Sequence, residues 1–243
     1  MYKNKIMLIT GCNRGIGKEI VNYFANLGVN IIMTYHNKKD DTIKLENEIK
    51  EKYHVNIESF YLDLSSEESV KNLYNEISNK YQKIDYLINN ASLSIDNDIF
   101  DKNHDEFMKV LEVNVVGTFL MMKYFDNIVN GFIFNMSSTD GIDTGSIYSV
   151  DYNASKAAIN SITKTFSMVS SNKIIGICPN WVDTESTKEM DSNYLDSELK
   201  RIGQDKLVSV KTIPKVIDDC IKINVLTGTI IRIEGDEDVR RIS

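Results

Sequence analysis

Tyr152 and Lys156, four residues apart in Tyr152-Asn153-Ala154-Ser155-Lys156, could move a proton together. A free phenol, with a pKa of about 10, exchanges protons poorly at neutral pH unless its anion is stabilised. A helix would stack the two side chains on one face, and the ammonium would favour the phenolate and lower that pKa. The spacing alone carries little weight. With 12 Tyr in a lysine-rich chain, about one such pair arises by chance, and Tyr35 with Lys39 forms a second. Context separates them: Tyr152 and Lys156 open an apparent helix that follows a strand ending in the hydroxyl-bearing Ser137, Ser138 and Thr139.

A second candidate lies near the start of the chain, in Thr10-Gly11-Cys12-Asn13-Arg14-Gly15-Ile16-Gly17. Glycines permit positive φ and close backbone approach, so amides and the positive end of a helix can face a pyrophosphate. Three glycines also suit a plain tight turn. An apolar strand before them and a helix after them favour the dinucleotide site.

Other chemistries find less support. Cys12, Cys178 and Cys220 are widely spaced, which suggests neither a disulfide framework nor a zinc site, but reduced thiols in a cytoplasm. His36, His54 and His104 are scattered among polar neighbours and read as surface residues, so no metal centre is expected. The net charge of −7 gives no reason to expect nucleic-acid binding. No apolar run approaches the roughly 20 residues of a membrane span. Lys3 and Lys5 precede Ile6-Met7-Leu8-Ile9, but that run meets a glycine without a cleavage site and does not read as a signal peptide.

The elements that must position these residues follow a regular order. Strands are predicted over Lys5–Thr10, Asn30–Tyr35, Ile57–Leu62, Ile84–Asn89, Gly131–Met136, Lys173–Cys178 and Gly228–Ile233. Helical stretches lie between them, over about Ile16–Leu27, Asp40–Lys52 and His104–Tyr124, from Ser65 onward with Glu68 as its capping-box partner, and from Tyr152 onward. Such crossovers build a parallel sheet covered on both faces, and the unbroken Ile, Leu, Val and Met of the strands fit burial on both sides. The expected fold class is α/β, a Rossmann-type doubly wound parallel sheet of about seven strands. Only Pro179 and Pro214 occur, and no composition shift marks a boundary, so residues 1–243 read as a single domain. Ligands of such sheets bind beyond the strands' carboxyl ends.

The residues at those ends carry a resemblance. The glycine loop is similar to the TGxxxGxG segment of the short-chain dehydrogenase/reductase family. Asn89-Asn90-Ala91-Ser92, Asn114-Val115-Val116-Gly117, Asn135-Met136-Ser137-Ser138-Thr139-Asp140-Gly141, Tyr152 to Lys156, and Cys178-Pro179-Asn180-Trp181-Val182-Asp183-Thr184 resemble its further motifs, in the family's order and over nearly the whole chain. The resemblance implies a catalytic set of Asn114, Ser138, Tyr152 and Lys156. Ser138 would hold the substrate oxygen, Tyr152 would give or take its proton, Lys156 would also bind the nicotinamide ribose, and Asn114 would anchor a proton-relaying water. Gly141, three residues on, favours Ser138 over Ser137 as the catalytic serine, with Ser137 as the alternative. Cofactor contacts are implied for Gly11, Asn13, Arg14, Gly15, Ile16 and Gly17; for Tyr35, His36, Asn37 and Lys38; for Asp63 and Leu64; for Asn90, Ala91 and Ser92; and for Pro179, Asn180, Val182 and Thr184, besides Tyr152 and Lys156.

Four details qualify this picture. No acid follows the second strand until Asp40, while Arg14 and Lys38 could meet a 2′-phosphate, so NADP(H) is favoured over NAD(H); Lys38 and Lys39 could equally be a solvated helix start. Asp63 could accept from an adenine amine or cap a helix. Ser92 and Asn180 stand where glycines are usual, and Asn tolerates positive φ. Residues 185–211 would form a substrate lid with Met190, Tyr194, Leu195 and Leu199 as pocket contacts, or a helix packing Leu195, Leu199 and Ile202 on the domain. The expectation is a cytoplasmic NADP(H)-dependent reductase of ketones or 3-oxoacyl thioesters, closest to the 3-oxoacyl-[acyl-carrier-protein] reductase branch, acting as a homo-oligomer, a dimer or tetramer. The alternatives are an NAD-dependent alcohol dehydrogenase and a non-catalytic nucleotide sensor.

Overall fold

A computed structural model describes residues 2–235; residue 1 and residues 236–243, the ends of the expected domain, lie outside the described residues. The chain runs β1 (Ile6–Ile9), α1 (Gly15–Asn26), β2 (Asn30–Tyr35), α2 (Lys39–Tyr53), β3 (Ile57–Tyr61), α3 (Glu67–Lys80), β4 (Ile84–Asn89), α4 (His104–Leu111), α5 (Gly117–Phe125), β5 (Val129–Met136), α6 (Val150–Phe166) and β6 (Lys173–Pro179). Then follow β7 (Val182–Asp183), α7 (Glu185–Lys188), α8 (Ser192–Ile202), β8 (Val208–Ser209), α9 (Thr212–Ile223) and β9 (Thr229–Ile233). Seven strands form one parallel sheet in the order β3-β2-β1-β4-β5-β6-β9. The order reverses between β1 and β4, and it is there that a crevice opens.

Strand alternation shows why the inner strands are apolar at most consecutive positions. Met7, Ile9, Ile31, Met33, Phe132, Phe134, Ile175 and Ile177 enter a core shared with α1, α2 and α9. Their chain neighbours Leu8, Ile32, Ile133 and Ile174 enter a second core with α3 and α5, against which Ile162 and Phe166 of α6 pack. Each such side chain removed from water contributes roughly 1.5–3 kcal/mol, so both faces must be covered.

Three local differences from the sequence expectation have physical causes. The cap of α3 is Ser66, not Ser65: Ser66 accepts from the Ser69 amide, while the Ser65 amide and hydroxyl both donate to Asp63 in a turn one residue earlier. The expected helix over 104–124 is two helices joined by a π-turn, Glu112–Val116, that carries Asn114. Its start is fixed by a reciprocal capping box between Asn103 and Glu106. Asn180 does not adopt positive φ. It replaces a glycine by using its side chain, whose Oδ1 accepts from the Thr139 hydroxyl at 3.2 Å and the Trp181 amide at 3.1 Å.

Candidate active site

At the carboxyl end of β1, Gly11 has φ +63°, and a side chain there would run into Ala91 Cα at 2.7 Å. A Cβ on Gly17 would lie 2.3 Å from the Gly11 carbonyl oxygen. These close approaches fold the loop against β4 and begin α1 at Gly15. Arg14, its N-cap, makes no side-chain cap, so the first amides of α1 face outward with the positive end of the helix. Asn90 secures the arrangement. Its Nδ2 donates to the carbonyls of Thr10 (3.0 Å) and Gly11 (2.7 Å), and the Asn90 and Ala91 amides donate to Thr10 Oγ1.

One cleft of about 1770 Å³ takes in this loop and the ends of β2, β3, β4, β5 and β6. Every residue expected to meet a cofactor lines it, from Gly11 to Gly17 with Asn13, Arg14, Gly15 and Ile16, through Tyr35, His36, Asn37, Lys38, Asp63, Leu64, Asn90, Ala91 and Ser92, to Pro179, Asn180, Val182 and Thr184. His36 Nε2 stands 3.8 Å from Asp63 Oδ2, and Lys38 Nζ 4.0 Å from Asp41. Asp63 accepts from both the amide and the hydroxyl of Ser65, and the hydroxyl bond holds its pKa below the ordinary value.

Ser138, Tyr152 and Lys156 meet at the inner end of the same cleft. Ser138 caps the short 3₁₀ turn Thr139–Gly141, its hydroxyl oxygen accepting from the Asp140 amide at 3.1 Å. Its hydroxyl acts on the Tyr152 phenol in the direction that lowers the phenol's pKa. Ser137 also lines the cleft but is differently engaged: its buried hydroxyl donates to the Lys156 carbonyl. Gly141 is required by this packing, since a Cβ there would lie 2.4 Å from the Lys156 carbonyl carbon. The Lys156 ammonium donates to the Met136 carbonyl at 2.9 Å and lies 5.0 Å from the centre of the Tyr152 ring.

The electrostatics of the pair differ from the sequence expectation. Burial drives the Tyr152 pKa upward, the Asp140 charge adds to it, and only the Ser138 hydrogen bond opposes. Burial also lowers Lys156 to about 8, against the opposing pull of Cys178 and Asp140. Desolvation therefore outweighs the lysine's stabilisation of a phenolate, and the protein groups by themselves keep Tyr152 protonated. A protonated phenol beside a serine hydroxyl can donate to an oxygen placed between them.

Asn114 does not line the cleft. Its fully buried side chain accepts from the Leu93 amide (2.7 Å) and donates to the Leu93 carbonyl (2.9 Å) and Ser155 Oγ (3.0 Å). It braces the loop after β4 against the residue before Lys156. In residues 185–211, α8 forms, but its buried side chain is Glu198, whereas Leu195, Leu199 and Ile202 are half-buried. Of the expected pocket contacts, Met190 and Tyr194 line the cleft.

Sequence reasoning missed several groups here. Glu185 Oε2 accepts from the Gly15 amide at 3.2 Å. Arg201 grips Glu198 through Nε and Nη2 and donates to the Thr144 carbonyl. Lys102 and Asp151 form a buried ion pair at 3.1 Å. An acid beside Tyr152 was the only visible signal for the last, because the cation comes from a distant loop.

The model of the short chain dehydrogenase family matches residues 5–195. A 3-oxoacyl-[acyl-carrier-protein] reductase of Aquifex aeolicus is 28% identical over 242 residues, covering 96% of this chain and 97% of its own. Among solved structures, a short chain dehydrogenase from Burkholderia cenocepacia in complex with NADP superposes with a TM-score of 0.88 at 20% identity, covering 96% of this chain and 97% of its own. The L-sorbose reductase of Gluconobacter frateurii, complexed with NADPH and L-sorbose, reaches 0.87 at 18% identity, with 99% and 98% covered. The chain belongs to the short-chain dehydrogenase family and is an NAD(P)-dependent oxidoreductase.

Proposed function

We propose that the protein reduces a ketone or a 3-oxoacyl thioester to a secondary alcohol, with NADP(H) as cofactor and Tyr152 as the proton donor. The observation that carries this reading is that Ser138, Tyr152 and Lys156 line the same cleft as the glycine loop and the amino end of α1. When bound, the dinucleotide supplies the hydride. The chain's residues do the rest. The Ser138 hydroxyl donates to the substrate oxygen, and Tyr152, half-buried and kept protonated by desolvation, delivers its proton to that oxygen as negative charge develops there. Lys156 restrains the phenol and offers a charge to the phenolate left behind. Asn114, buried and saturated, holds Leu93 and Ser155 in place around them.

The preference for NADP(H) rests on the end of β2, where the chain runs through His36, Asn37 and Lys38 with no acid before Asp40, and on Arg14, which lines the same cleft. Supporting it, two structural neighbours are described in complex with NADP or NADPH. The chain acts as one domain, with residues 185–211 covering the substrate end. It works in the cytoplasm, in keeping with three buried free cysteines. Exposed Val116, Phe119 and Met168 supply apolar surface for a homo-oligomer, a dimer or tetramer. The purified protein, given NADPH and a panel of ketones and 3-oxoacyl thioesters, should consume cofactor, and it should bind NADPH more tightly than NADH. No consumption with any carbonyl, or tighter binding of NADH, would refute the corresponding part.

A further inference from the structure

We propose that Asp140 determines substrate choice by holding a protonated amine on the substrate, a few atoms from the reacting carbonyl. The inference rests on the carbonyl-reductase reading and narrows it to amino ketones.

Asp140 is tied to the reacting groups by backbone. It is the middle residue of the turn capped by Ser138, and its amide donates to the Ser138 oxygen at 3.1 Å. Its carboxylate is anchored on one oxygen by the Thr144 hydroxyl at 2.9 Å, and the residue lines the cleft. Of the charged groups that act on the Tyr152 phenol, Asp140 acts most strongly.

Among the carboxylates that line the cleft are Asp96, Asp140 and Glu198, of which Asp140 and Asp96 both act on the Tyr152 phenol. They are not equivalent. Glu198 is already held by Arg201, with Nη2 at 2.8 Å. Asp96 is exposed and takes the Ser94 hydroxyl at 3.0 Å. Asp140 is half-buried and, among the described residues, forms no ion pair. The cations whose charge reaches Asp140 are otherwise bonded: Lys156 donates to the Met136 carbonyl, and Arg201 to Glu198 and the Thr144 carbonyl. A partly desolvated carboxylate without its own cation is matched by a ligand that brings one. The lining suits the same ligand, since Trp181 and Tyr194 also line the cleft and aromatic faces attract ammonium groups. An anionic carbonyl compound would meet like charge there instead.

The test uses three methyl ketones of similar shape: a β-dimethylamino ketone, its neutral isostere with CH in place of the protonated nitrogen, and levulinate. Rates of NADPH oxidation give kcat/KM for each with wild type, Asp140→Asn and Glu198→Gln. Wild type should prefer the amine over its isostere by at least about tenfold and use levulinate worst. Asp140→Asn should bring the amine-to-isostere ratio to within about threefold of unity, while Glu198→Gln should keep most of it. A ratio is insensitive to a general loss of folded enzyme. Should Asp140→Asn fail to fold, the wild-type ratio decides alone. Turnover of the isostere without preference for the amine, or a preference that survives in Asp140→Asn, would overturn the inference and leave the reductase reading standing. Turnover of none of the three, nor of any other carbonyl, would overturn both.

Discussion

The Glu185 carboxylate accepts a hydrogen bond from the Gly15 amide, 3.2 Å away, so an acid from the substrate-side segment sits on the first turn of α1. That amide belongs to the helix end best suited to a cofactor's pyrophosphate. The two anions compete for it. A carboxylate at an exposed helix amino end contributes about 0.3–1 kcal/mol, so Glu185→Gln should tighten NADPH binding about two- to fivefold. Titration calorimetry measures this directly, and weaker binding in the variant would show that Glu185 assists the cofactor.

Burial of Lys156 costs stability, because the ammonium gives up its water on folding. Its folded pKa of about 8 lies below the ordinary lysine value of 10.5, so between these values the unfolded chain binds more protons, and the stability of the fold from this group rises with pH. The cost is fully present below pH 8. Lys156→Met should therefore abolish activity yet be more stable than wild type at pH 7, by about 1–3 kcal/mol after loss of the Met136 hydrogen bond. The gap should close as pH rises toward 10. Denaturant titrations at pH 7 and pH 10 check it; a less stable variant at pH 7 would contradict the desolvation argument.

Lys102 and Asp151 are 3% and 0% exposed and lie 3.1 Å apart, joining the loop after β4 to the first turn of α6. Removing one partner of a buried pair leaves an uncompensated charge and costs about 3–5 kcal/mol. Lys102→Met should lower the melting temperature by several degrees, and Lys102→Met with Asp151→Asn should recover part of the loss. Thermal denaturation of the three proteins separates pairing from packing: an undiminished loss in the double variant would assign the effect to packing.

Much of this architecture is written locally. The strands are apolar on both faces because both are covered, so β1, β2, β4 and β6 stand out as unbroken runs. The glycine loop and the Tyr152–Lys156 spacing are legible because backbone approach and helical stacking depend on neighbouring residues. What escaped depends on the third dimension. Ser66 instead of Ser65 caps α3 because the turn at Asp63 uses Ser65 first. Asn180 serves through its side chain, and its type alone suggested positive φ. The elevation of Tyr152 arises from burial and from Asp140, neither of which the lysine four residues away reveals.

The central claim is that Tyr152 delivers the proton, and removal of its hydroxyl tests that most directly. Tyr152→Phe keeps the ring beside Lys156 and deletes only the donor. With a ketone that wild type reduces, kcat/KM should fall by at least about a hundredfold, the range of general acid catalysis, while the dissociation constant for NADPH stays within about threefold. A variant that binds NADPH normally and reduces the ketone as fast as wild type would contradict the account.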